Sequence, residues 1–213
     1  YVPRRRLIGS GLADLNEVIA PLPYFGNVLF YHRLLQDDVI IDLHEHYVKQ
    51  SLRNRCELVG SQGRFSLSVP VQRPSGIKIS MSDIKISYDE DWPAIHRKTI
   101  RSAYGSAPFF PFYFDELTAL WDKRPEKLSE LNILAHELIC SLIDIEPSLR
   151  YSDAYILSTP GLDLRDSFKK GNVSNPRYIQ VFEDQIGFEE GLSILDLLFC
   201  LGPETPDYLR KIF

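Results

Sequence analysis

The sequence predicts an α+β fold, in which an antiparallel or mixed β-sheet from the N-terminal third packs against about four to five α-helices. Two observations carry this prediction. Alternating apolar and polar residues, the pattern of half-buried strands, recur between residues 52 and 87, whereas apolar residues at helical spacing follow from residue 92. The length of 213 residues suits one domain with a substantial core.

The composition excludes several classes of protein. Hydrophobic, charged and aromatic residues make up 44%, 25% and 12% of the chain, which argues against intrinsic disorder. The net charge of −5 offers no overall phosphate-neutralising surface, so no nucleic-acid partner is expected. Apolar runs are shorter than the roughly 20 residues of a transmembrane helix. Three widely spaced cysteines within apolar patterns favour reduced thiols and a cytoplasmic location.

The chain begins with a predicted basic, peripheral arm over residues 1–20. Prolines then create a rigid turn at residues 20–26 that fixes the position of Tyr24. Asn27 is a suitable N-cap for a short helix over residues 28–35.

Residues 39–43 form a strand that is apolar on both faces, which predicts a central position in a sheet. Its extended continuation places Asp42, His44 and His46 on one face. These side chains are ligand types for a transition metal, but residues two apart on a straight strand are separated by roughly 7 Å. We therefore predict no metal site here.

The following connector is rich in polar and cationic groups. Arg53 and Arg55 share parity, so an extended backbone directs both guanidinium groups to the same side, where they suit carboxylate or phosphate oxygens. Asn54 then points the other way. The alternative is that both arginines form structural salt bridges with nearby acids such as Asp37 and Asp38. The residues alone leave both interpretations open.

A hairpin follows, with arms at residues 52–59 and 64–71. Similar alternation at residues 77–80 and 84–87 predicts one or two further strands. The first third of the chain therefore reads as a mostly antiparallel sheet.

The middle and end of the chain are mostly helical. Helices are predicted over residues 92–104 with Asp91 as N-cap, from about residue 111 to 121, over 127–144, and over 194–201. Ser193 and Asp196 form a predicted capping box for the last helix. Residues 177–182 alternate like a strand, and the long polar loop over residues 158–176 has no assigned role.

His96 lies in the apolar stripe of the helix over residues 92–104. It is either a satisfied core residue or, if it faces Arg53 and Arg55, an acid or base.

Three stretches resemble one known family. They are the string Y-V-K-Q-S-L-R-N-R-C at residues 47–56, the set of Trp92, His96 and Tyr104, and the tail S-I-L-D-L-L-F-C-L-G at residues 193–202. Together they resemble the WbqC-like protein family, in the short form common in Bacteroidetes. This resemblance implies cytoplasmic chemistry on nucleotide sugars or glycan precursors for O-antigen or other surface polysaccharides, without an established reaction.

Matching positions in the family and the residue chemistry together give the candidate site. The predicted catalytic residues are His96 and Asp42, and no metal ligand or cofactor is assigned. The predicted substrate-binding residues are Tyr24, Arg53, Asn54, Arg55 and Tyr104. The expected partner is an anionic small molecule such as a nucleotide sugar, and the oligomeric state stays open. Two hypotheses follow: an enzyme of surface-polysaccharide precursor synthesis, or a non-catalytic binding or assembly protein whose arginines lock the fold.

Overall fold

The computed structural model describes residues 17–72, 78–157, 159–167 and 174–212. The strands of the described chain are β1 (Glu17–Ala20), β2 (Asp38–Ile41), β3 (Arg55–Gly60), β4 (Gly63–Ser68), β5 (Val71–Gln72), β6 (Lys85–Ile86), β7 (Leu149–Tyr151) and β8 (Leu162–Asp163). Its helices are α1 (Val28–Gln36), α2 (Trp92–Tyr104), α3 (Phe110–Asp122), α4 (Leu128–Leu142), α5 (Glu183–Ile186), α6 (Ile194–Leu201) and α7 (Thr205–Arg210).

The largest sheet is parallel and has the order β7-β2-β1-β8. β2 lies between two other strands, as expected for a segment that is apolar on both faces. Hairpin β3-β4 and the pair β5-β6 are antiparallel and form two separate small sheets. The predicted α+β class is confirmed, with one parallel and two antiparallel sheets in the described chain.

The expectation of a mostly antiparallel sheet in the first third was wrong for β1 and β2. Their outer neighbours, β8 and β7, lie more than a hundred residues later in the chain, and local alternation does not reveal such partners. Residues 17–20, which we expected in a peripheral arm, form β1, whose residues 18–20 are buried. The rest of that predicted arm lies outside the described residues, as do residues 168–173 of the polar loop.

Helix starts were predicted well because capping residues are local signals. The Phe30 amide donates to Asn27 Oδ1 (3.0 Å), the Ala94 amide to Asp91 Oδ1 (3.3 Å), and the Leu195 amide to Ser193 Oγ (3.3 Å). α3 and α4 begin within one residue of the predicted positions.

Residues 177–182 do not form the predicted strand. The Gln180 side chain instead makes two hydrogen bonds to the backbone of Glu189, accepting from its amide (2.9 Å) and donating to its carbonyl (2.9 Å). A side-chain amide therefore takes the place of a neighbouring strand for this segment.

The core is one cluster of buried residues to which the hairpin and helices α1, α2, α3, α4 and α6 contribute. Its largest fully buried side chains include Trp121, Tyr24, Tyr31, Tyr104, Phe25, Phe30 and Phe199. α1 connects β1 to β2 and packs against α7. Residues that follow β1 and β8 line a cleft.

Candidate functional site

A cleft of about 860 Å³ lies beyond the carboxyl ends of β1 and β8. Pro21 follows β1 and contributes one wall, and Arg165 and Asp166, which follow β8, contribute another. In chain order, the parallel strands run third, second, first, fourth across the sheet, so the order reverses between β1 and β8. Such a reversal leaves a crevice at the carboxyl ends of the strands, where open parallel sheets bind ligands.

The polar face of the hairpin forms a further wall. Arg55, Glu57 and Arg64 line the cleft, whereas Cys56 and Leu58 are buried in the core. This separation follows from the period of two along β3 and from the pairing of the two strands, which places Arg64 opposite Val59. The remaining lining comes from the connector at residues 48–53 and from residues 188–191.

Arg53 is a structural residue of this cleft. Its side chain is 4% exposed and forms a bidentate ion pair with Glu45, with distances of 2.7 Å from Nε to Oε1 and 2.5 Å from Nη2 to Oε2. Nη2 also donates to the carbonyl of Arg165 (3.1 Å). Burial raises the pKa of Glu45, and Arg53 opposes that rise. The guanidinium therefore ties the connector to the segment after β8.

Arg55 differs from Arg53 although both lie at the edge of the same cleft. Its Nε is buried without a hydrogen-bond partner, and its guanidinium has no carboxylate partner among the residues that the structure describes. An arginine fork without an ion-pair partner in a concave site is suited to bind a carboxylate or phosphate.

Glu57 lies two residues further along β3 and lines the same cleft. Its Oε1 accepts a hydrogen bond from Ser66 Oγ (2.5 Å), whereas its buried Oε2 has no partner within the described part of the chain. One carboxylate oxygen therefore lacks a hydrogen-bond donor among the described residues.

The other two arginines of the cleft are anchored. Arg64 donates to Glu189 Oε2 from Nε (3.0 Å) and Nη2 (2.8 Å), which fixes the wall at residues 188–191. Arg165 pairs with Asp163 (2.6 Å) and with Asp42 (2.7 Å). These ion pairs hold the walls in place.

Asp42, a predicted catalytic residue, is completely buried and does not line the cleft. Oδ1 accepts from the His44 amide (3.0 Å) and Ser152 Oγ (3.1 Å), and Oδ2 accepts from Arg165 (2.7 Å) and the Ile156 amide (3.3 Å). With both oxygens occupied, it positions the loops after β2, β7 and β8.

His96, the other predicted catalytic residue, is also in the core, away from the cleft lining. Its Nε2 lies 3.3 Å from the Ser68 carbonyl and its Nδ1 lies 3.1 Å from the Tyr24 hydroxyl, which accepts from Trp121 Nε1 (2.9 Å). A carbonyl can only accept, so Nε2 carries the proton and Nδ1 accepts from Tyr24. Burial lowers the pKa of His96 to about 4. We therefore assign His96 and Tyr24 to a satisfied core network.

Tyr104 belongs to a second buried network. Its hydroxyl donates to Asp196 Oδ1 (2.8 Å) and accepts from the Val59 amide (3.2 Å). Asp196, which we expected to complete a capping box, is fully buried and also accepts from the Tyr178 hydroxyl and from Gln180 (3.2 Å). Burial raises the pKa of Asp196.

Asn54 is mostly buried and does not line the cleft. Its Nδ2 donates to the Val69 carbonyl (2.9 Å), so it joins the connector to the end of β4. Of the predicted site residues, the structure therefore brings only Arg53 and Arg55 to the cleft.

The described residues contain no group of three or more His, Cys, Asp or Glu side chains placed to hold a metal ion. In the same parts of the chain, no helix has both the length and the apolar surface needed to cross a membrane.

Comparison with known proteins gives the family. The WbqC-like family model matches residues 21–168. The chain belongs to the WbqC-like protein family. It is also similar to the uncharacterized protein Rv1507c of Mycobacterium tuberculosis, with 28% identity over 204 residues that cover 82% of this chain and 88% of the relative. No solved structure matches.

The region matched by the WbqC-like model contains most of the cleft, from Pro21 to Asp166. The wall at residues 188–191 lies beyond it. The matched segment begins directly after β1 and ends just after β8, and these two strands flank the crevice.

Sequence reasoning missed Glu57, Arg64, Arg165 and Glu189. Glu57 could have been found, because it has the same strand parity as Arg55. Hairpin pairing places Arg64 on that face as well. The sequence has no local signal for Arg165 or Glu189, because each reaches the cleft through a partner distant in the chain.

Proposed function

We propose that this WbqC-like protein binds an anionic glycan precursor, such as a nucleotide sugar, in the cleft and acts on it as a cytoplasmic enzyme of surface-polysaccharide or O-antigen biosynthesis. The observation that carries the proposal is Arg55, an arginine that lines the cleft without a carboxylate partner among the described residues. The proposal that the ligand is a glycan precursor rests on the family resemblance. The proposal that it is anionic rests on the geometry around Arg55.

The size and composition of the cleft support a ligand of this kind. A volume of about 860 Å³ lies within the usual range for small-molecule sites. Phe188, Leu52 and Pro21 provide apolar surface, and Lys49 adds a second cation on the connector. A phosphorylated molecule with a ring can use both kinds of surface.

The different pairing of Arg53 and Arg55 assigns the proposed anion-binding role to Arg55 alone. Arg53 is saturated by Glu45 and the Arg165 carbonyl, so its contribution is to hold the connector. Arg55 is the proposed anion contact. Since His96 and Asp42 are held inside the fold, any acid or base for the reaction comes from the carboxylates of the cleft, such as Glu57 and Glu190.

The test is a binding titration of the Arg55→Ala variant with UDP-glucose, UDP and inorganic phosphate. Loss of a charge-assisted contact weakens binding by roughly 10- to 100-fold. Arg210→Ala, an exposed position on α7, is the matched control and should bind like the wild type. Equal affinities of wild type and Arg55→Ala would contradict the proposal.

The enzymatic part needs its own readout. Incubation of the wild type with a nucleotide-sugar panel should release nucleotide or modify the sugar, detected by mass spectrometry, and Arg55→Ala should reduce the rate. Binding of nucleotide sugars without any turnover would contradict the enzymatic part of the proposal and support a role in binding.

The second candidate is a non-catalytic binding or assembly protein whose motif arginines stabilise the fold. The buried Arg53–Glu45 pair favours it. It predicts that Arg55→Ala lowers the melting temperature by several degrees without selectively removing ligand binding, so the same variant distinguishes the two candidates.

A further inference from the structure

Arg55 and Glu57 form an unpaired cation and carboxylate side by side in the cleft. They lie on the same face of β3, two residues apart, with a backbone separation of roughly 7 Å. They are not ion-paired with each other, and each keeps one buried polar atom without a partner among the described residues, Nε of Arg55 and Oε2 of Glu57. The cleft therefore presents an unfilled donor next to an unfilled acceptor.

The lack of a carboxylate partner distinguishes Arg55 from the other arginines of the cleft. Arg53, Arg64 and Arg165 each have a carboxylate partner within 3 Å. A buried polar group without a hydrogen bond costs free energy, and buried charges are normally paired. Structural pairing thus accounts for three arginines of the cleft and leaves Arg55 and Glu57 unexplained.

We propose that the ligand carries two neighbouring polar groups. One is an anion, and the other is a hydrogen-bond donor, either a hydroxyl or an ammonium group. Arg55 binds the anion and Glu57 binds the donor, which makes Glu57 the specificity-determining residue of the cleft. A sugar or amino-sugar phosphate has this chemistry. The inference rests on the proposed function, because it assumes that the cleft binds an anion.

The position of Glu57 suits this role. Ser66 donates to Oε1 and so holds the carboxylate against the hairpin, while the buried Oε2 has no donor within the described chain. A carboxylate fixed through one oxygen selects for a donor at a defined distance from the anion.

The experiment measures the affinities of three probes: methyl phosphate, glucose 1-phosphate and glucosamine 1-phosphate. Methyl phosphate has the anion without the neighbouring donor. The wild type should bind at least one of the two sugar phosphates roughly 10- to 100-fold more tightly than methyl phosphate. Glu57→Ala should remove this increment without weakening the binding of methyl phosphate, because loss of a nearby negative charge does not oppose an anion. Arg55→Ala should weaken binding of all three probes.

Glu57→Gln distinguishes the two donors. Glutamine keeps a carbonyl acceptor but loses the charge, so binding of a hydroxyl survives this change and binding of an ammonium group weakens. Glu146→Ala, an exposed glutamate outside the cleft lining, is the matched control, and melting curves establish that each variant is folded.

The outcomes separate this inference from the proposed function. If the wild type binds none of the three probes, this inference fails, and the titration with UDP-glucose, UDP and inorganic phosphate decides the proposed function separately. If it binds them equally, or if Glu57→Ala keeps the increment, the anion site stands and the role of Glu57 is overturned.

Discussion

Arg53 and Arg55 lie two residues apart, yet of the two only Arg53 is paired with a carboxylate within the described structure. Arg53 is buried against Glu45, and Arg55 opens onto the cleft. Because they are two residues apart, both side chains fall on the same face of an extended backbone, and the sequence alone does not distinguish their roles. Their different roles follow from Glu45, which the connector brings to one arginine and not to the other.

Removal of Arg53 should destabilise the protein strongly. Arg53→Ala leaves the buried Glu45 carboxylate without its counter-ion, which costs about 3–5 kcal/mol. Chemical denaturation monitored by fluorescence measures the loss. The loss should shrink as the pH falls, because a protonated Glu45 is less costly to bury.

A paired substitution controls for the effect of charge. Arg53→Met combined with Glu45→Leu removes both buried charges and should recover much of the stability that Arg53→Ala loses. A double variant as unstable as Arg53→Ala would show that hydrogen bonding to the Arg165 carbonyl, rather than the ion pair, dominates.

His96 should make stability depend on pH. Its pKa is about 4 in the fold, below its ordinary value of 6.5, because of burial. The unfolded chain therefore binds more protons between these two values. Its contribution to stability is complete above pH 6.5 and is lost as the pH falls towards 4, at up to about 1.4 kcal/mol per pH unit.

His96→Gln tests this dependence because glutamine can still accept from Tyr24 and donate to the Ser68 carbonyl without titrating. Its unfolding free energy should vary less with pH over that window. Part of the slope should remain, since burial also lowers the pKa of His136 to about 4. An unchanged slope in His96→Gln would refute the assignment.

Tyr104 should matter for stability rather than for binding. Tyr104→Phe removes the hydroxyl that donates to Asp196 and accepts from the Val59 amide, which leaves buried groups unsatisfied and costs about 1–3 kcal/mol. Thermal denaturation and a glucose 1-phosphate titration measure the two effects separately. Tyr113→Phe is the control, with an expected change within about 0.5 kcal/mol. Selective loss of glucose 1-phosphate binding in Tyr104→Phe would show that Tyr104 takes part in ligand binding.

Gly202 should not tolerate a side chain. Its φ of 52° lies in the left-handed region, and a Cβ there would lie 2.4 Å from the Phe109 ring. Gly63 also has a positive φ, of 95°, but nothing lies within 4 Å of its Cβ position. Gly202→Ala should therefore be less stable than Gly63→Ala by about 1–3 kcal/mol, the usual cost of overpacking. Equal melting temperatures would rule out a rigid contact with Phe109.

The sequence by itself determined the local structure of this protein. Asn27, Asp91 and Ser193 define helix starts because a cap is a hydrogen bond to an amide two or three residues away. The hairpin followed from alternation with period two. The α+β class and the family followed from such patterns, and Arg55, one of the expected substrate-binding residues, lines the cleft.

Only the tertiary structure decided the parallel sheet and the composition of the site. β1 and β2 pair with strands from the far end of the chain. His96 and Asp42 contact partners such as Tyr24 and Arg165 inside the fold and do not line the cleft. The reason is physical: the chemistry of a polar side chain depends on whether other groups already satisfy it, and those groups are brought by chain segments that are distant in sequence.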